Sequence, residues 1–87
     1  MPRRQPSPFR SPSKDLHRKL DEVITELVGA GLPLQQARDE FERQYVLAAL
    51  REKRGGMSST AEHLGVHRNT LRKKVALHRI RPVDYSS

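Results

Sequence analysis

The sequence predicts an all-α chain of four helices whose C-terminal part is a helix-turn-helix, and three observations predict it. Apolar residues recur three and four positions apart from Leu16 to Val75, the spacing of one face of a 3.6-residue helix. Glycines 29, 31, 55, 56 and 65 interrupt that recurrence where helices would end. No stretch alternates apolar and polar residues as a half-buried strand does, and no segment repeats.

Residues 1–13 hold four of the six prolines, three serines and, after Met1, Phe9 as the sole large apolar side chain. Proline at that density permits neither helix nor strand, so the segment reads as a disordered, basic, flexible arm. Between Ser13 and Gly29, Leu16, Leu20, Val23, Ile24, Leu27 and Val28 fall on one stripe. Ser13 or Asp15 suits the N-cap, and Gly29-Ala-Gly31 stops the helix.

The second helix is expected to start at Leu32-Pro33, with Pro33 in the first helical position. Leu34, Ala37, Phe41, Tyr45 and Ala48 form one face, and Val46, Leu47, Ala49 and Leu50 make the helix apolar nearly all round. Such a helix is buried on more than one side. In an 87-residue chain the extra cover is most easily a second subunit, because a domain of this size buries only ~60% of its unfolded surface. Leu50→Asp is accordingly expected to change the oligomeric state. Gly55-Gly56 ends this two-helix dimerisation region, residues 14–56.

Residues 57–81 carry the helix-turn-helix. Ser58 or Ser59 is expected to cap its first helix, and Ser59-Thr-Ala-Glu62 has capping-box spacing. Ala61 and Leu64 face inward, Gly65 supplies a left-handed turn, and Val66 plugs it. Leu71, Val75 and Leu77 hold the second helix, leaving Arg68, Asn69, Arg72, Lys73 and Ala76 outward. A basic second helix after a sharp glycine turn is the arrangement that enters a DNA major groove. Residues 82–87 read as a tail.

Charge supports a polyanionic partner. The net charge is +7, and it is concentrated at the ends. Residues 1–14 carry four basic side chains and no acid, residues 15–65 seven basic against nine acidic, and residues 66–87 six basic against one acid. A balanced middle with positive ends fits two polyanion-binding segments.

Other chemistries find little in the sequence. There is no cysteine for a thiol-ligated zinc site or a disulfide, which fits a reducing cytoplasm. No apolar run approaches the ~20 residues of a membrane span, and no apolar segment follows the N-terminal arginines as in a signal peptide. His63 and His67 are four apart, but Gly65 lies between them and no third ligand is near. Glu62-His63 lacks the rest of a His-Glu-x-x-His motif. Ser58, Ser59 and Thr60 are explained as cap residues. The expectation is therefore no enzyme, no cofactor, no metal and no small-molecule substrate. A protein-interaction module, with the basic helix binding an acidic partner or RNA, is the second class; no aromatic stacking platform favours RNA.

At Gly65-Val-His-Arg-Asn-Thr-Leu-Arg-Lys-Lys-Val75 the sequence resembles the Fis family and the Fis-type C-terminal domain of NtrC-class activators. Leu34-Gln-Gln-Ala-Arg-Asp-Glu-Phe-Glu-Arg-Gln-Tyr45 resembles the helix before the motif in the NtrC type, and Gly55-Gly56 matches its Gly-Asn link. The resemblance covers roughly residues 32–80. It implies an intertwined all-α homodimer of four-helix subunits, with Leu20, Val23, Ile24, Leu27, Phe41, Tyr45, Val46, Leu47 and Leu50 at the interface. It further implies that two recognition helices, set closer than one DNA turn, bend double-stranded DNA.

Carried over by position, the resemblance makes Arg68 the major-groove base reader, with His67 and Asn69 beside it. Thr70, Arg72, Lys73 and Lys74 become backbone or groove-edge contacts, and Ser58 a phosphate contact. Guanidinium binding to guanine O6 and N7 agrees with the physics of groove reading. The sequence departs from the family at His67, where Asn or Ser is usual, at Gly56, where an asparagine touches the DNA backbone, and at Arg79, where a glycine ends the helix. Residues 1–13 are also unlike the β-hairpin arm that engages recombinases. That arm suits either phosphate or minor-groove tracking or a role as a solubilising tail. The expected setting is the bacterial cytoplasm and nucleoid, in transcription or chromosome organisation. An initiating Met1 ahead of the arm leads to the expectation of a stand-alone protein.

Overall fold

The structure is a computed structural model and describes residues 13–86. Those residues form five α-helices and no strand: α1 (Lys14–Gly29), α2 (Leu34–Glu52), α3 (Met57–Leu64), α4 (Arg68–Leu77) and α5 (Pro82–Tyr85). The expected arm, residues 1–13, lies outside the described residues except for Ser13. The chain divides into two units, Met1–Leu32 and Pro33–Ser87.

In the first unit, Ser13 Oγ accepts the Leu16 N–H at 3.1 Å and caps α1. Asp15, the other cap candidate, pairs with Arg18 one turn on. No residue of α1 is buried, and Leu16, Leu20, Val23, Ile24 and Val28 all stand exposed along it. The apolar stripe is thus present as expected, and none of its residues is buried among the described residues.

In the second unit, α2 begins one residue later than expected. Pro33 is its N-cap, in extended backbone, and its carbonyl accepts from Ala37 at 3.0 Å. Val46, Leu47, Ala49 and Leu50 are buried. The core joins Val46, Leu47 and Leu50 of α2 to Ala61 of α3, Leu71 of α4 and Ile80, with Met57, Leu64, Val66, Val75 and Tyr85 packed around them. The sequence reading expects Val46, Leu47 and Leu50 at a subunit interface; in the structure all three are buried in the chain's own core. Leu50 is 0% exposed inside its own chain, because α3, α4 and α5 all pack on α2.

Two further expectations change. Leu77 is 68% exposed, and Ile80, beyond the end of α4, fills the core instead. Residues 82–87 are not simply a tail: Pro82 starts the single turn of α5, and its fixed φ is already helical. Asp84 accepts the Arg81 N–H at 2.8 Å, and Arg51 Nε donates to the Asp84 carbonyl at 3.1 Å. The Tyr85 ring lies over Gly55, where a Cβ would meet it at 2.9 Å.

Helices α1 to α4 each end on a left-handed residue: Gly31, Arg54, Gly65 and Arg79, with φ of 79°, 53°, 73° and 55°. Each shows the paired hydrogen bonds of a Schellman motif, as in Arg79 N–H to Ala76 O (3.1 Å) and Ile80 N–H to Val75 O (3.0 Å). The apolar residue that follows, Val66 after α3 and Ile80 after α4, is thereby turned back against the core. Gly55 at φ 80° then reverses the chain a second time after Arg54.

Candidate nucleic-acid interface

Helices α3 and α4, joined through Gly65-Val66-His67, pack on each other and on α2 as a helix-turn-helix. Gly65 adopts the left-handed conformation that the sharp turn requires. His67 replaces the usual amide or hydroxyl cap and performs the same task. Its Nδ1 accepts the Asn69 N–H at 3.0 Å, which requires that nitrogen to be without a proton.

On α4 the inward stripe is Leu71, Lys74, Val75 and His78, at spacings of three, one and three. Leu71 is fully buried, and Lys74, Val75 and His78 are half-buried. The opposite surface exposes Arg68, Asn69, Thr70, Arg72 and Lys73, and α4 carries no acidic residue. His67 and Ser58 are exposed beside it. Arg68 lies in the first turn of α4, where the unpaired N–H groups of the helix add partial positive charge.

The structure brings Ser58 and Arg68 together: Arg68 Nη1 donates to Ser58 Oγ at 3.2 Å. The expected cap role of Ser58 and Ser59 is corrected. Helix α3 starts at Met57, so Gly56 is the N-cap without a side-chain bond, and both serines lie in the first turn. Ser59 Oγ donates back to the Gly56 carbonyl at 3.2 Å.

Lys74 is drawn away from the exposed surface. Its Nζ lies 2.6 Å from Glu42 Oε2 on α2. The His78 Nε2–H, from the end of α4, donates to Glu42 Oε1 at 2.9 Å, and Arg43 Nε donates to the His78 carbonyl at 3.2 Å. The Lys74 ammonium, followed by the His78 ring, holds the Glu42 carboxyl below its ordinary value of 4.5 despite partial burial. Sequence reasoning missed Glu42, Arg43 and His78. The position of His78, seven residues after Leu71, was the available signal for an inward side chain; nothing local marks Glu42.

Among the described residues no helix is long and apolar enough to cross a membrane, and no three His, Cys, Asp or Glu side chains gather where a metal could sit. His63 and His67 lie on either side of the Gly65 turn, both exposed.

Comparison with known proteins agrees with this geometry. Residues 37–76 match the model for "Bacterial regulatory protein, Fis family". The nitrogen assimilation regulatory protein NtrX of Azorhizobium caulinodans is 44% identical over 45 residues, covering 52% of this chain and 10% of the relative. The chain thus spans about a tenth of the length of that curated relative. No solved structure matches. From near the start of α2 through most of α4, the chain is similar to the Fis family of bacterial regulatory proteins.

Proposed function

We propose that the chain is a homodimeric, Fis-type DNA-binding protein that regulates transcription or bends DNA as a nucleoid-associated protein in the bacterial cytoplasm. The observation that carries the reading is the exposed surface of α4, basic and free of acids, beginning at His67 and Arg68 and backed by a packed core. Arg68 reads base edges, while Arg72, Lys73, Thr70, Asn69, His67 and Ser58 contact phosphate or the groove edge. Titrating salt against binding to duplex DNA tests this. Log K should fall linearly with log salt at ~0.9 per phosphate neutralised, and a binding constant indifferent to salt would rule out α4 as the contact surface.

The homodimer is supported by what α1 and α2 leave uncovered. Leu20 and Ile24 are 42% and 48% exposed on α1. On α2, the Phe41 and Tyr45 rings stack at 5.5 Å between centroids and both stand exposed. Exposed apolar side chains clustered on each helix are of the kind that marks association sites. Ile24→Asp and Phe41→Asp suit the test, since neither position is in the core; Leu50→Asp would disrupt the fold itself. Sedimentation should show both variants dissociated, and unchanged mass would remove these residues from the interface. The NtrX match covers a tenth of that relative, so its part in nitrogen assimilation is not carried across.

A further inference from the structure

Lys74 and its neighbour Lys73 differ in what surrounds them. Lys73 is exposed, whereas Lys74 follows Leu71 by three residues and so projects from the stripe that α4 turns toward α2. There it meets Glu42, which also takes the His78 ring, 6% exposed, on its other oxygen. Arg43 holds the carbonyl of that same histidine. Two consecutive residues of α2 therefore grip the C-terminal turn of α4 at three points, and one of those points uses a lysine charge. A lysine ammonium 2.6 Å from a carboxylate has to give up that partner before it can neutralise a phosphate. The partner is anchored by a second hydrogen bond, so it does not swing away freely.

We propose that Glu42 is a positioning residue for DNA binding, which keeps Lys74 out of the phosphate contacts and spends its charge on docking α4 against α2. The cationic contacts of α4 are then Arg68, Arg72 and Lys73. This rests on the reading of α4 as the DNA-contacting helix. A charge removed from the contact set releases no counterion, so it leaves no trace in the salt dependence of binding.

The test is the slope of log K against log salt for the full-length chain on a mixed-sequence DNA duplex, measured by fluorescence anisotropy. Four proteins are compared: wild type, Lys74→Gln, Glu42→Gln and the double variant. Glu42→Gln frees Lys74 and should steepen the slope by ~0.9. The double variant should return to the wild-type slope, and Lys74→Gln alone, by this proposal outside the contact set, should match wild type. A Lys74→Gln slope shallower by ~0.9 would overturn the proposal, and that arm decides even if Glu42→Gln unfolds. A folded Glu42→Gln with the wild-type slope would overturn it too. If the wild-type chain binds no duplex, the reading of α4 fails and the proposal falls with it; if wild type binds and Lys74→Gln is shallower, the proposal alone fails.

Discussion

Arg68 Nη1 donates to Ser58 Oγ at 3.2 Å, joining the first turn of α4 to the first turn of α3 across the Gly65 turn. Both side chains are exposed, so the bond holds a guanidinium at the edge of the basic surface while leaving its other N–H groups for a ligand. Replacing Arg68 by Ala should cost roughly 1–3 kcal/mol of DNA binding and flatten preference across a randomised duplex library. Wild-type affinity and preference in Arg68→Ala would remove it as the base reader.

His67 contributes stability through a single acceptor, Nδ1 on the Asn69 N–H. Alanine there should lower stability by about 1 kcal/mol, while asparagine, which has its own cap acceptor, should restore most of it. Urea denaturation of the two variants compares them directly. Equal loss in both would show that the ring packs rather than caps.

Arg79 sits at φ 55°, the end of α4 that its Schellman bonds define. An L side chain in that region costs roughly 1–2 kcal/mol, and glycine relieves it at some cost in unfolded-state entropy. Arg79→Gly should therefore stabilise the chain by about 1 kcal/mol, which for a domain of this size raises Tm by roughly 4–8 °C. An unchanged or lower Tm would mean that the arginine makes compensating contacts.

Glu42 sets an acid limit. Its folded-state pKa is depressed, chiefly by the Lys74 hydrogen bond and then by that of His78. A depressed carboxyl contributes stability that is fully present above its unfolded value, and that contribution is lost as pH falls through the folded value. The gap in Tm between wild type and Glu42→Gln should thus hold steady above pH 4.5 and narrow below it. A gap that stays constant down to pH 3 would mean that the pair does not stabilise the fold.

Leu50 is fully enclosed by the chain's own core. Leu50→Ala should cost about 2–5 kcal/mol, a large part of the stability of so small a domain. Denaturant titration at several protein concentrations separates this from a dimer effect, since a core cavity lowers stability equally at every concentration.

Much of the fold was legible in local sequence. Helix periodicity, the Ser13 cap and the Gly65 turn depend on neighbours a few residues apart, and the same holds for the exposed positions of Arg68, Asn69, Arg72 and Lys73. The end of α2 was legible only nearly: Gly55-Gly56 announced it, but the left-handed backbone begins one residue earlier, at Arg54, and continues through Gly55. Where the sequence showed an apolar helix, it could not say which chain would cover it. Val46, Leu47 and Leu50 look identical as core or as interface, because transfer from water is non-directional.

The sequence by itself determined an all-helical chain with a turn at Gly65 and a basic, acid-free second helix, since 3.6-residue spacing and glycine backbone freedom are local properties. Tertiary structure alone decided that residues 82–85 form a helix over Gly55, that Ile80 rather than Leu77 enters the core, and that Lys74 faces Glu42. Each of those outcomes depends on groups roughly thirty residues apart along the chain. Contacts at that separation form only when α2 becomes the surface on which the other helices pack.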